Sequence, residues 1–133
     1  MTTLRALTIG GNSDVVVIRR EVRAAAVAAG FSIVDQTKIV TAASELTRNV
    51  VVHAGEGRAF IELLDDGRRR GLRLTVVDEG PGIHDVRQAL VDGWSSSGGL
   101  GLGLGGSRRL VDEFDLVSEP GRGTRVTVTK WAR

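Results

Sequence analysis

The chain has no cysteine, so it can form neither a disulfide framework nor a thiolate metal site. Histidine is scarce: His53 and His84 stand in unrelated contexts, which argues against a histidine metal centre. Lysine is nearly missing, with Lys38 and Lys130 the only two among 18 basic residues. A P-loop needs Gly-Lys followed by Ser or Thr to reach phosphates, and no lysine lies between Lys38 and Lys130, so that motif is excluded. No apolar run approaches the length of a membrane span, and the first residues lack a signal-peptide pattern. The expectation is a cytoplasmic protein that contacts no membrane. Basic residues are scattered and the net charge is only +2. The one basic run, Arg68-Arg69-Arg70, lies between Gly67 and Gly71 and reads as a solvated turn, too small a footprint for nucleic acid.

What is present fits one domain over residues 1–133, long enough to bury a core without staples, at 41% apolar and 26% charged. Leu4 to Ile9 predict a first strand, ended by Gly10-Gly11-Asn12. Ser13 or Asp14 would cap a helix running to about Ala29, with Gly30 as its stop. A second helix is expected from about Asp35 to His53, because Ile39, Ala42, Ala43, Leu46 and Val50 recur at three- and four-residue spacing. Glu45 and Asn49, four apart, point to one side of it, beside that stripe.

Arg58 to Leu64 and Leu72 to Val77 predict two strands joined by a hairpin, which leaves Asp78 at the end of a buried strand. A short helix at Asp85 to Val91, a helix at Leu104 to Glu113, and strands at Asp115 to Ser118 and Thr124 to Trp131 complete the pattern. This order argues for an α+β protein, a two-layer sandwich of one mixed sheet with helices on one face.

Half of the 18 glycines fall between Asp78 and Gly106. Glycine loses the most backbone freedom on folding, so a dense run needs a reason, and close approach of the backbone to an anionic ligand is one. Leu100, Leu102 and Leu104 alternate with the glycines, which sets the run apart from a flexible linker. Gly101-x-Gly103-x-x-Gly106 formally matches a dinucleotide fingerprint, but no strand leads directly into it and only 27 residues remain after it, counting from 106 to 133.

Four patterns come in a fixed order: Glu45-x-x-x-Asn49, Asp78-x-Gly80-x-Gly82, the Gly99, Gly101, Gly103 loop, and Gly121-x-Gly123-Thr124. Together they resemble the N, G1, G2 and G3 boxes of the GHKL ATPases (the Bergerat fold). The small size and the segments Ala43-Ser44-Glu45-Leu46-Thr47-Arg48-Asn49, Gly93 to Gly101 and Lys130-Trp131 are similar to the anti-sigma-factor serine/threonine kinases, and among them to the switch kinases of the stressosome.

The resemblance implies ATP and Mg²⁺ as cofactors. Asn49 would supply the protein ligand to Mg²⁺. Asp78 would accept from the adenine amine, Gly80 and Gly82 would let the chain turn beneath the base, and Thr124 would add a hydroxyl there. Gly99, Gly101 and Gly103 would cradle phosphates, and Glu45 would act as the catalytic base. No basic residue lies between Arg87 and Arg108, so charge stabilisation of the phosphoryl group would fall mainly on Mg²⁺, backbone dipoles, Arg108 or Arg109. It further implies an STAS-domain antagonist as the phosphorylated partner and a PP2C-type phosphatase as the second. The alternatives are an anti-sigma factor that binds a sigma factor directly, or a nucleotide-gated binding switch.

Overall fold

The computed structural model describes residues 3–80, 95–97, 100–101 and 104–133. The expected helix at 85–91 lies outside them. Strand β1 (Thr3–Ile9) leads into helices α1 (Asn12–Ala28) and α2 (Ile33–His53), followed by the hairpin β2 (Gly57–Asp65) and β3 (Arg70–Asp78). The short strands β4 (Ser95–Ser97) and β5 (Leu100–Gly101) pair with each other. Helix α3 (Leu104–Arg109) and the hairpin β6 (Glu113–Glu119) and β7 (Gly123–Trp131) close the chain.

The main sheet has the order β1-β2-β3-β7-β6, and every neighbouring pair in it is antiparallel. The two-layer α+β arrangement stands, but the expected mixed sheet is corrected. The crossover from β3 to β6 skips one position in the sheet. The returning strand β7 fills that position, antiparallel to both neighbours, so β3 and β6 never pair.

The core lies between this sheet and the α1–α2 pair. All five stripe positions of α2 (Ile39, Ala42, Ala43, Leu46 and Val50) are buried, as are Leu72, Leu74 and Val76 of β3. Fully burying each of the Val, Leu and Ile side chains among them contributes about 1.5–3 kcal/mol, which outweighs the weak helix propensity of α2's β-branched residues.

The helix limits shift from expectation for local reasons. Ser32 caps α2, its Oγ accepting from the Asp35 N–H at 3.1 Å, so the helix begins two residues before Asp35. Helix α1 starts at Asn12, and Asp14 lies inside its first turn, accepting from the Gly10 N–H at 2.6 Å. Gly30 does end α1, at φ +81°. The helix expected to reach Glu113 stops at Arg109, because the Asp112 N–H bonds Thr129 O at 3.0 Å and the Trp131 N–H bonds Asp112 Oδ2 at 2.8 Å. Pairing with β7 takes those residues out of the helix. At the same end of β7, Lys130 Nζ lies 3.5 Å from Asp35 Oδ1, both side chains nearly enclosed, tying β7 to the start of α2.

Candidate functional site

One cross-strand row crosses the end of the sheet: Ile9, Gly57, Asp78, Thr124 and Ser118 stand directly opposite one another from β1 to β6. Residues opposite each other in antiparallel strands project to the same face. Asp78, Thr124 and Ser118 therefore share one side of the sheet, the side on which Leu74, Val76, Val126 and Val128 are buried.

Asp78 is half-buried, and its Oδ1 accepts from the Gly80 N–H at 2.9 Å. Burial pushes its carboxyl above the usual carboxylate range, and the N–H groups of Gly80 and Thr124 and the nearby His53 act against that rise. Among the described residues Asp78 is the one carboxyl raised in this way. A half-buried carboxylate whose Oδ1 accepts from one N–H group keeps further lone pairs for a ligand's donor.

The C-terminal half of α2 lies close over this row. A Cβ on Gly57 would come within 2.9 Å of Val50 Cγ1, and one on Gly80 within 2.6 Å of Ala54 Cβ. These glycines let the helix approach at Val50 and Ala54, which brings Asn49, the residue before Val50, to the same end of the sheet. Neither Gly57 nor this role of Gly80 could be read from a motif, because the close approach exists only in the folded chain.

Asn49 and Glu45 are both part-exposed on α2, one turn apart. Arg48 Nη1 lies 3.3 Å from Glu45 Oε1, a surface pair that leaves the carboxylate accessible and of little consequence for stability. In the sequence Arg48 stands only as one member of the segment around Glu45 and Asn49, with no role of its own, yet it places a cation beside the candidate base.

Thr124 Oγ1 lies 2.9 Å from Ser118 Oγ. Gly123, at φ +92°, is buried against the backbone of Asp78 and Glu79, where a side chain would collide. Ser118 escaped the sequence analysis because a lone serine near a strand end carries no signal until the register sets it opposite Thr124.

Gly101 lies in β5 opposite Ser95, and the α3 helix that follows packs on α2 through the buried Leu104. Gly82, Gly99 and Gly103 lie outside the described residues. Arg108 and Arg109 are exposed in the last turn of α3. Among the described residues no group of three or more His, Asp or Glu side chains could hold a metal, and no helix is long and apolar enough to cross a membrane.

The profile of the family described as histidine kinase-, DNA gyrase B-, and HSP90-like ATPase matches residues 34–133. The chain is 48% identical over 120 residues to the serine/threonine-protein kinase RsbT of Bacillus subtilis, covering 90% of each. It is 35% identical to an anti-sigma F factor of Caldanaerobacter subterraneus, covering 70% of this chain and 68% of that one. A solved structure of the RsbU and RsbW domains of a Mycobacterium tuberculosis protein superposes with a TM-score of 0.65 at 23% identity, covering 97% of this chain and 33% of that one, a likeness of fold. With an ATPase profile over most of its length and a protein kinase nearly half identical to it, the chain belongs to the histidine kinase-, DNA gyrase B- and HSP90-like ATPases, and within them to the ATP-binding serine/threonine-protein kinases.

Proposed function

We propose that the chain is the switch kinase of a cytoplasmic, partner-switching stress module. It transfers the γ-phosphoryl group of ATP to a serine or threonine of an STAS-domain partner and, once released from that partner, binds a PP2C-type phosphatase. All 133 residues act as one ATP-binding kinase unit. The observation that carries this reading is the row holding Asp78 and Thr124 beneath the half of α2 that bears Glu45 and Asn49.

In this reading Asp78 accepts from the adenine amine, a group guanine lacks at that position. Gly80 and Gly82 allow the turn beneath the base, and Thr124 stands beside it. The backbone at Gly99, Gly101 and Gly103 lines the phosphates. Asn49, with its hard amide oxygen, suits Mg²⁺, which keeps most of its ligands as water and phosphate. The bound ion would neutralise phosphate charge. Glu45 takes the proton of the attacking hydroxyl, a general-base role that typically contributes about 10²–10⁴-fold. Arg48, beside Glu45, joins Arg108 and Arg109 as a candidate for balancing the charge that develops on the transferred group.

A second reading, that the chain sequesters a sigma factor directly, has support in the 35% identity to an anti-sigma F factor. Incubation with γ-labelled ATP, Mg²⁺ and the STAS protein encoded nearby tests the first. Label on that partner is the expected result. An unlabelled partner together with capture of a sigma factor would favour the second.

A further inference from the structure

The hydroxyl of Ser118 has one proton and two lone pairs. Its Oγ lies 3.0 Å from the carbonyl oxygen of Gly123, and a carbonyl can only accept, so the Ser118 proton goes there. In the 2.9 Å contact between Ser118 Oγ and Thr124 Oγ1, Thr124 must then be the donor. The Thr124 proton is thereby turned along the sheet toward β6, away from the Asp78 side of the row. What Thr124 offers on the Asp78 side is lone pairs.

We propose that Ser118 is a specificity-determining positioning residue: by holding the Thr124 hydroxyl proton, it makes Thr124 an acceptor at a site where Asp78 is already an acceptor. The proposal rests on the nucleotide reading above. Two acceptors on adjacent strands match a base edge that carries an amino group, whose two N–H bonds both need partners. A 6-oxo purine would set a carbonyl lone pair against them. The arrangement is rigid because the Gly123 carbonyl belongs to the backbone clamped against Asp78, where no side chain fits. Without Ser118, the Thr124 hydroxyl would rotate and could donate to a 6-oxo group, so discrimination would fall even though nothing touching the base had been removed.

The test is calorimetric binding of ATP and of inosine triphosphate, which differ at the 6-position, to the whole chain. Wild type is expected to prefer ATP. Ser118→Ala should narrow that preference by roughly fivefold or more, the worth of about one hydrogen bond. Ser118→Thr should restore it. In a Thr124→Val background, Ser118→Ala should cause no further narrowing, which a merely structural role would not predict. Ser118→Cys, close in size and only a weak donor, carries the same comparison if the alanine variant does not fold. Full ATP preference in Ser118→Ala would overturn the positioning role and leave the nucleotide reading intact. Wild type binding neither nucleotide would overturn both.

Discussion

Gly123 lies directly against the backbone of Asp78: at φ +92°, its position admits no Cβ without collision with the Asp78 carbonyl and the Glu79 Cα. The turn that starts β7 and the strand end that presents the candidate adenine-binding carboxylate are thus one packed unit. Gly121, two residues earlier at φ +78°, faces open space.

That contrast predicts unequal costs for the same substitution. Gly121→Ala should cost about 1–2 kcal/mol, the left-handed conformation alone. Gly123→Ala adds overpacking against backbone that cannot rotate aside, for a total of about 2–5 kcal/mol, and should weaken ATP binding as well. Chemical denaturation of the two variants checks the order.

Asp78 supplies a pH dependence. Burial raises its folded pKa above the 3.8 of the free side chain. A raised carboxyl binds its proton more tightly when folded, so its contribution to stability is present below the unfolded pKa and is lost as pH rises through the folded one. Asp78→Asn should therefore gain thermal stability relative to wild type across that window, since Asn can still accept from the Gly80 N–H. ATP binding should move the other way. In wild type it strengthens as Asp78 ionises over the same window, and in Asp78→Asn it should be weaker by about tenfold or more and flat there. Paired melting and binding curves from pH 4 upward would test both signs.

Asn49→Ala should lower phosphoryl transfer far more than it lowers the melting temperature, because Asn49 is part-exposed and outside the packed stripe. Transfer equal to wild type at saturating Mg²⁺ would remove Asn49 from the metal site.

The Asp35–Lys130 pair lies among the buried residues, at 7% and 2% exposure, and the remaining partner would be left enclosed if one were removed. Lys130→Ala should cost roughly 3–5 kcal/mol, and replacing both partners by apolar residues of similar volume should cost less than either single change. Denaturant unfolding of the three variants decides this without reference to nucleotide.

Much of this architecture is legible in the sequence because it rests on periodicity. The stripe from Ile39 to Val50 could bury only one face, and the turn residues bracket each strand. The sheet's all-antiparallel pairing was not legible, since strand order depends on which gap the β6–β7 hairpin fills. The end of α3 was missed because Asp112 is claimed by Trp131, 19 residues on. In the site, Asp78, Gly80 and Thr124 show as motif residues, while Gly57, Ser118 and Arg48 matter only through neighbours brought by register or by a helical turn.

The measurement closest to the central claim is phosphorylation of the proposed STAS-domain partner by Glu45→Gln beside wild type, with ATP affinity measured on the same samples. Glu45 sits one turn from Asn49 and is part-exposed, and as a proton acceptor it holds no part of the base, so the substitution should leave ATP affinity within a few-fold. Transfer to the partner should fall by roughly 100-fold or more. A Glu45→Gln protein that binds ATP normally and phosphorylates its partner at the wild-type rate would contradict the assignment of Glu45 as the base and the kinase mechanism built on it.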